Sequence, residues 1–414
     1  MPLLARPCAV VAGPQVIPAW STSPPTSATG AFSPAQLRAA YGIDNISLGG
    51  TVGDGSGQTI AIVDAYDNPG LVSTTQAGFS TSDLAAFDSQ YGLQAPPSFI
   101  KYNQTGGTTS LASPAPTNGT WGIEQSLDVE WAHAIAPKAN IILVEASDDN
   151  WSNLMAAAAQ AASLPGVSVV SMSFGNDEWP GETASDSTFS TPANHNKVTF
   201  VAATGDGGYP GQYAAFSPNV VAVGGTTLSV SGGRTETGWS GSGGGSSSYE
   251  KDTFQSITKR SRPRETPDVS FDADPHTGVG IFDSYDNSAA PWEQVGGTSL
   301  STPCWAGLIA IADQLRVAAY PGLDTLDGAT DTLPGLYSLA QSDFYDITSG
   351  TNGMYYAGPG YDMVTGLGTP VANLLVPDLA MYNSPEPSSL ALLGVAALGL
   401  GAARIRRRQG RREA

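Results

Sequence analysis

The stretch Gly296-Gly297-Thr298-Ser299-Leu300-Ser301-Thr302-Pro303 joins a double-glycine turn to an apolar sequence that continues to Ala310. A proline near the start of small and apolar residues predicts that a helix begins here. The glycines permit a sharp turn and the close approach of another backbone. Ser299 is then expected at the helix N-terminus, where free N–H groups and the helix dipole favour negative charge. Such a position suits a nucleophilic serine, although a plain N-cap explains the motif alone equally well.

Apolar runs alternate with helical patterns on the N-terminal side of this stretch. Runs typical of buried strands occupy residues 59–64, 140–146, 168–175, 198–203 and 220–225. This alternation predicts an α/β fold with a doubly wound, mostly parallel sheet flanked by helices. Functional groups of such folds lie at the carboxyl ends of strands, where Asp64 and Asp206 are found.

Two acidic residues lie in a helix that is predicted from Gly122 and must end before Pro137. Glu124 and Asp128 are spaced i, i+4 and therefore share one helix face. Like charges at this spacing usually belong to a solvated face. Here the neighbours are Ile123, Leu127 and Trp131. The pattern therefore indicates carboxyl groups embedded in an apolar helix.

The serine and the acidic pair together resemble one family. Gly297-Thr298-Ser299 followed by Pro303 resembles the Gly-Thr-Ser-x-x-x-Pro motif of the sedolisins (serine-carboxyl peptidases), and the subtilisins share a related motif and fold. Glu124-x-x-x-Asp128 resembles the sedolisin acidic pair, on the helix where subtilisins place the catalytic histidine. The resemblance covers roughly residues 32–380. It implies a subtilisin-like fold and a single large catalytic domain, 32–382.

A subtilisin-type peptidase is the weaker alternative. It would use Asp64, at the end of the first strand, as the catalytic aspartate. However, the sequence lacks the His-Gly-Thr motif that should follow, and His133, His195 and His276 all stand in other contexts. We therefore interpret Asp64 as a structural residue or one beside the cleft.

The resemblance implies a role for each residue of the motif set. Ser299 would be the nucleophile, Glu124 would take its proton, and Asp128 would orient and tune Glu124. Close carboxyl groups share protons, so this pair would titrate as a unit. Asp206 would stabilise the oxyanion, but only while it is protonated. Such a site is expected to act in acid and to lose activity near neutral pH.

Two further segments resemble binding elements of sedolisins. The strand edge that pairs with the substrate backbone would consist of Ser173, Phe174 and Gly175. The glycine-rich residues 239–249 could be a linker by composition, but we interpret them as a surface loop.

Asp346 and Asp362 lie in glycine-rich loops, and their carboxylates are hard oxygen ligands suited to Ca²⁺. By themselves they are as consistent with ordinary turns. They resemble the sedolisin site for one structural calcium ion, which would add the carbonyl groups of Ile347, Gly358 and Gly360.

The C-terminal tail, 383–414, resembles a PEP-CTERM sorting signal of Gram-negative bacteria. It contains Ser384-Pro385-Glu386-Pro387, an apolar segment at 390–403 and an arginine cluster. The resemblance implies export to the cell envelope, the surface or the medium, with a transient contact to the membrane and a sorting enzyme. A plain membrane anchor is the alternative, although fourteen residues are short for a spanning helix.

Composition limits the remaining classes. The net charge is −19, and the tail holds much of the basic charge, so the rest of the chain is strongly acidic and unsuited to nucleic acid. Cys8 and Cys304 are not expected to form a disulfide.

Prolines interrupt residues 1–31, so no convincing signal peptide is present and a disordered leader or a misplaced start codon is expected. The leader is too short to be the pro-domain that sedolisins usually have. We therefore expect either a truncated chain or a catalytic domain that folds unaided.

These observations favour an exported, acid-acting serine-type endopeptidase, expected as a monomer, whose partners are protein and peptide substrates. A different class remains open, namely an inactive sedolisin-like surface protein that binds peptides or matrix. The joint presence of Ser299, Glu124, Asp128 and Asp206 argues against it.

Overall fold

The computed structural model describes residues 3–11, 22–25, 31–117, 120–252, 254–255 and 262–383. The chain divides into a compact unit that ends at Ala380 and a second unit, 381–414, of which only 381–383 are described. The predicted sorting tail from residue 384 onward therefore lies outside the described residues. Within the described ranges, no helix is both long and apolar enough to cross a membrane.

The α-helices of the described residues are α1 (Pro34–Tyr41), α2 (Asp83–Tyr91), α3 (Trp121–Ile135), α4 (Trp151–Ser163), α5 (Thr298–Ala319), α6 (Leu333–Ser338) and α7 (Ala372–Met381). The strands are β1 (Arg6–Pro7), β2 (Val10–Val11), β3 (Ser47–Leu48), β4 (Thr51–Val52), β5 (Thr59–Ala65), β6 (Phe99–Asn103), β7 (Asn140–Ala146), β8 (Val167–Met172), β9 (Phe174–Gly175), β10 (Thr199–Ala203), β11 (Val220–Ser229), β12 (Thr235–Gly238), β13 (Gly245–Lys251), β14 (Pro263–Thr266), β15 (Val269–Asp272), β16 (Val279–Phe282), β17 (Trp292–Gly296), β18 (Phe344–Tyr345) and β19 (Thr369–Pro370).

A central sheet confirms the predicted α/β architecture. Its strand order is β12-β11-β10-β8-β5-β7-β6, and β15 also pairs with β11. The pairs from β6 to β11 are parallel, as is β11 with β15, whereas β12 runs antiparallel to β11. The central strands β5 and β8 are buried along their whole length because helices cover both faces of the sheet.

The two faces of β5 belong to two separate hydrophobic clusters. Ile60 and Ile62 pack in the cluster that contains α3 and α5, whereas Ala61 and Val63 pack in the cluster that contains α4. The alternation follows from the two-residue period of a strand. The helices α3 and α5 therefore lie on the same side of the sheet, where they contact each other closely. A Cβ atom added at Gly307 of α5 would lie 2.7 Å from the side chain of Ile135.

The helix boundaries follow local signals with one exception. Ser33 caps α1 in a capping box, and Gly42 ends that helix in the left-handed conformation. The helix α3 ends at Ile135, before Pro137, as predicted. By contrast, α5 begins at Thr298 and contains Pro303 within it, so the expectation of a proline at the helix start was wrong.

The leader expectation was wrong for residues 3–11. Arg6–Pro7 pairs antiparallel with Phe174–Gly175, and Val10–Val11 pairs antiparallel with Val295–Gly296. Ala5 and Cys8 are buried. These residues are ordered because strand edges of the compact unit satisfy their backbone hydrogen bonds. The cysteines Cys8 and Cys304 are both free, as predicted.

The interpretation of the glycine-rich residues 239–249 as a surface loop was wrong for the glycines at their centre. Gly243 and Gly244 are buried, and the N–H of Gly243 donates to the Gly205 carbonyl at 2.8 Å. A Cβ atom at Gly243 would collide with the carbonyl oxygen of Thr204. Glycine is required here because two backbones touch, and the contact supports the turn that contains Asp206.

We therefore expect Gly243→Ala to lower the free energy of unfolding by about 1–3 kcal/mol, because the backbone must shift to admit one methyl group. Gly78→Ala is the matched control, since Gly78 is exposed and its added Cβ would meet Val72 at an ordinary 3.6 Å. Urea unfolding of both variants measures the difference. Equal stability of the two variants would contradict the contact.

Candidate active site

The predicted residues converge where several strands of the sheet end. Asp64 is the penultimate residue of β5, Ser173 follows β8, and Asp206 lies in the turn after β10. The helices α3 and α5 add Glu124, Asp128 and Ser299 from the adjacent face, and all of these side chains are buried or nearly so.

The N-terminus of α5 is shaped by Gly297 and Pro303. Gly297 has φ of 103°, and a Cβ atom there would collide with the Cys8 carbonyl oxygen and lie 2.6 Å from Asp206 Oδ2. Glycine is therefore required for both conformation and space. Pro303 has no N–H to donate to the carbonyl of Ser299, four residues earlier. The Ser173 hydroxyl oxygen lies 3.5 Å from that carbonyl oxygen but donates its proton to Asp128, at 2.8 Å.

Ser299 lies in the first turn of α5, as expected. Its hydroxyl donates to the carbonyl oxygen of Ser173 at 3.3 Å. The side chain is fully buried. Its position at a helix N-terminus favours any negative charge that develops on the oxygen.

Glu124 and Asp128 are confirmed as carboxyl groups embedded in a buried helix. The Ser173 hydroxyl donates to Asp128 Oδ1 at 2.8 Å, and the N–H of Ala9 donates to Glu124 Oε2 at 2.8 Å. Burial first, and for Glu124 also the charge of Asp128, raises both pKa values well above their usual range. The Ser173 hydroxyl opposes the rise for Asp128. The pair therefore resists double ionisation.

The two carboxyl oxygens of Asp206 differ in their hydrogen bonding. Thr298 donates to Oδ1 from its N–H at 2.7 Å and from its hydroxyl at 2.8 Å. Oδ2 is buried and has no hydrogen-bond partner within the described part of the chain. Burial raises the pKa of Asp206 to about 7, against the opposing hydrogen bonds from Thr298. A protonated Oδ2 is therefore available below neutral pH.

Asp64 is near enough to the acidic pair for their charges to interact, which agrees with its interpretation as a residue beside the cleft. It is fully buried, and neither carboxyl oxygen finds a hydrogen-bond partner among the described residues. Burial, and then the charges of Asp128, Glu124 and Glu145, raise its pKa well above the usual range. Asp64 therefore approaches the pair from strand β5 of the sheet.

The three histidines are engaged with other groups. His133 Nε2 lies 2.9 Å from the Gln94 carbonyl and 3.2 Å from Asp88. His195 binds the carbonyl groups of Leu164 and Asn196, and His276 binds Asp274. A histidine base for Ser299, as in the subtilisin-type alternative, finds no support in these contacts.

The segment 3–11 lies across this site. The N–H of Cys8 donates to the Ser173 carbonyl at 3.1 Å, beside the pairing of β1 with β9. The Cys8 carbonyl oxygen lies against Gly297, on the side where Asp206 Oδ2 also approaches. The next N–H, that of Ala9, is the donor to Glu124. The predicted edge Ser173-Phe174-Gly175 thus pairs with a peptide, in this case one from the same chain.

Sequence patterns did not reveal this segment, nor Gln212 beside it. The Cys8 thiol lies 3.5 Å from Gln212 Oε1. Neither Cys8 nor Gln212 belongs to a motif, and a contact between positions so distant in sequence leaves no local signal.

The predicted calcium loop brings its two aspartates to one turn. Asp346 accepts from the N–H of Gly360 at 3.0 Å, and Asp362 accepts from the N–H of Gly358 at 3.0 Å. Among the described residues, no hydrogen bond engages the carbonyl oxygens of Ile347, Gly358 or Gly360. Two carboxylates and three free carbonyl groups form a donor set of hard oxygens that fits Ca²⁺.

Comparison with known proteins gives concordant matches. The model of the Subtilase family matches residues 55–323, and the PEP-CTERM protein-sorting motif matches residues 385–408. The chain is 31% identical to kumamolisin of Bacillus sp. (strain MN-32) over 77% of this chain and 59% of kumamolisin. It is 29% identical to sedolisin of Pseudomonas sp. (strain 101) over 72% of this chain and 55% of sedolisin.

A solved structure of Pseudomonas sedolisin, a serine-carboxyl proteinase complexed with two molecules of pseudo-iodotyrostatin, superposes with a TM-score of 0.66 at 27% identity. The match covers 84% of this chain and 97% of that one. The chain spans somewhat more than half the length of the two curated relatives.

The buried Asp206 leads to a prediction about stability. A carboxyl group whose pKa rises from 3.8 to about 7 on folding leaves stability intact below the lower value and reduces it as pH rises to the upper one. Asp206→Asn removes this titration. Between about pH 4 and 8, the free energy of unfolding of the wild type should therefore fall by about 4 kcal/mol relative to that of the variant. Urea unfolding at several pH values measures this gain, and parallel curves would contradict it.

Proposed function

The chain belongs to the subtilase family, in its sedolisin branch, and we propose that it is an exported serine-carboxyl peptidase that hydrolyses peptide bonds in acid. One observation above all supports this function. The Cys8–Ala9 peptide bond of the chain itself donates its N–H to Glu124, and its carbonyl oxygen lies against Gly297, beside Asp206 Oδ2 and two residues before Ser299 in the chain. This is the arrangement that acyl transfer requires.

In the proposed reaction Ser299 Oγ attacks the carbonyl carbon of the substrate while its proton passes to Glu124. Glu124 then gives this proton to the leaving nitrogen, and water hydrolyses the acyl-enzyme by the same steps in reverse order. The contact between Glu124 and the N–H of Ala9, at 2.8 Å, supports the second transfer. Asp128, held by Ser173, orients Glu124 and shares its proton.

Asp206 would stabilise the oxyanion as a neutral acid. Thr298 fixes Oδ1, so the unpartnered Oδ2 can donate its proton towards the substrate carbonyl oxygen. A carboxylate at this place would repel the oxyanion. Because the pKa of Asp206 is about 7, this donor is lost as the solution passes neutrality.

We also propose that the loop containing Asp346 and Asp362 binds one Ca²⁺ ion, with Ile347, Gly358 and Gly360 contributing carbonyl oxygens. The convergence of both carboxylates on a single turn supports the assignment. When bound, the ion would supply stability, since it would hold together the two ends of the connection between β18 and β19.

The match to the PEP-CTERM motif indicates export to the cell surface. We propose a Gram-negative source and a transient contact of the tail with a sorting enzyme at the membrane. Proteins and peptides outside the cell would then be the substrates.

The proposal is tested by the pH dependence of peptide hydrolysis, measured with a quenched peptide library from about pH 3 to 8. Ser299→Ala should lower kcat/KM by at least about 10⁴-fold, whereas Ser163→Ala at an exposed position should leave it unchanged. Wild-type activity should fall above about pH 7 as Asp206 ionises. Asp206→Asn, whose amide donates at any pH, should lose this fall.

Activity of the wild type that peaks at or above neutral pH would contradict the acid mechanism. A folded wild-type protein that cleaves nothing across the range would favour the inactive surface-binding protein instead.

Calcium removal gives a separate test. Chelation should lower the Tm, because an ion at 100 times its Kd stabilises the fold by about 2.7 kcal/mol. Added Ca²⁺ should restore the Tm, whereas Mg²⁺, which demands a smaller octahedral site, should not. Asp362→Asn should abolish this response, and Asp177→Asn, on the exposed surface, should retain it. A Tm that neither the chelator nor added Ca²⁺ changes would exclude the calcium site.

A further inference from the structure

The segment 3–11 shows how a peptide lies in the cleft. On the acyl side, the Arg6–Pro7 strand pairs with Phe174–Gly175, and the Asn176 side chain donates to the Leu4 carbonyl at 2.6 Å. On the amine side, Val10–Val11 pairs with Val295–Gly296. Backbone hydrogen bonds therefore hold the segment on both sides of the catalytic groups. A substrate bound by strand addition is held in the same manner.

The bond between Cys8 and Ala9 occupies the reactive position. Its carbonyl oxygen lies on the side of Gly297 approached by Asp206 Oδ2, and its nitrogen donates to Glu124. Cys8 is therefore the P1 residue, whose carbonyl carbon would be attacked, and Ala9 is the first residue on the leaving side.

The pocket around the Cys8 side chain is closed by Gln212. The thiol lies 3.5 Å from Gln212 Oε1, and only 4% of Cys8 is exposed. The Gln212 amide fills the space between two glycines. A Cβ atom at Gly175 would lie 2.6 Å from Gln212 Oε1, and one at Gly205 would lie 2.8 Å from it.

The backbone of Gln212 cannot easily withdraw. Its N–H donates to the Thr204 carbonyl at 3.0 Å. The next residue, Tyr213, exchanges two backbone hydrogen bonds with Asn176, at 2.7 and 2.9 Å. The glutamine is thus tied both to the Asp206 turn and to the strand edge that pairs with the peptide. A larger P1 side chain would have to displace it.

We infer that Gln212 restricts the P1 position to small, uncharged side chains and that the Cys8–Ala9 bond is the chain's own example of such a substrate. The inference rests on the proposed peptidase activity and names the substrate class of that site. In the reaction Ser299 Oγ bonds to the Cys8 carbonyl carbon and its proton passes to Glu124. Glu124 then protonates the Ala9 nitrogen as the C–N bond breaks. Water finally releases a Cys8 carboxyl group and returns a proton to Ser299.

The test uses peptides that copy residues 3–11 and vary only the position of Cys8. Wild-type protein should cleave the Ala, Ser and Cys peptides after this position, with kcat/KM at least about 10-fold above that for the Leu, Phe and Arg peptides. Gln212→Ala should raise the ratio of kcat/KM for the Leu and Phe peptides to that for the Ala peptide about 10-fold or more. Gln341→Ala, at an exposed glutamine, should keep the wild-type profile.

Cleavage of the Phe and Ala peptides at equal rates, or a profile that Gln212→Ala does not alter, would overturn the assignment of Gln212. Either outcome would leave the peptidase itself established. Absence of cleavage of every peptide and of the general library would instead refute the proposed function, and this inference with it.

The intact chain provides a second measurement. After incubation in acid, mass spectrometry of the wild-type chain should show a new N-terminus at Ala9. Ser299→Ala and Cys8→Phe should retain residues 1–8. A wild-type chain that cleaves peptides but keeps its own Cys8–Ala9 bond, or is cut only elsewhere, would overturn the self-substrate assignment.

Discussion

The structure depends on carboxyl groups that are held out of water in pairs. Glu124 and Asp128 lie one helical turn apart on a helix with no exposed face, and Asp64 approaches them from the sheet. Such groups cannot all be ionised, because a charge without water or a counter-charge is costly in a protein interior. The protein must therefore keep protons where most serine hydrolases keep a histidine. The placement of Ser173 and Thr298 follows from this constraint, since each gives one carboxyl oxygen a defined donor.

Much of the scaffold could be predicted because its signals are local. The strand Asn140–Ala146 contains four consecutive apolar residues, Ile141 to Val144, and α3 ends where Pro137 forbids another turn. The position of Pro303 within α5 was misjudged because a proline six residues into a helix has the same sequence signature as one at its first turn. Gly243 was mistaken for a surface residue because composition alone does not distinguish a flexible glycine from one that two backbones touch.

The features of the site also differ in whether local sequence signals could indicate them. Ser299, Glu124, Asp128 and Asp206 belong to patterns, so residue types and spacing indicated them. Their hydrogen bonds were not indicated, because Ser173 and Thr298, although quoted in the same patterns, meet them only through the crossing of helices and strand ends. Segment 3–11 was least accessible to prediction. Its prolines and short strands carry no periodicity, and its order comes entirely from edges that other parts of the chain provide.

The seating of this segment also determines how the cleft responds to other ligands. A tethered occupant competes at an effective concentration set by its connection to the fold, on the order of millimolar for short flexible connections. A free peptide inhibitor must displace the segment in order to bind in the cleft. The inhibitor concentration that this requires rises with the effective concentration of the segment and with the affinity of the segment for the cleft. Inhibition of the uncut chain would therefore appear weak, even for a compound that complements every subsite. Loss of the segment would raise the apparent affinity of the same compound, although the atoms that the compound contacts would not change.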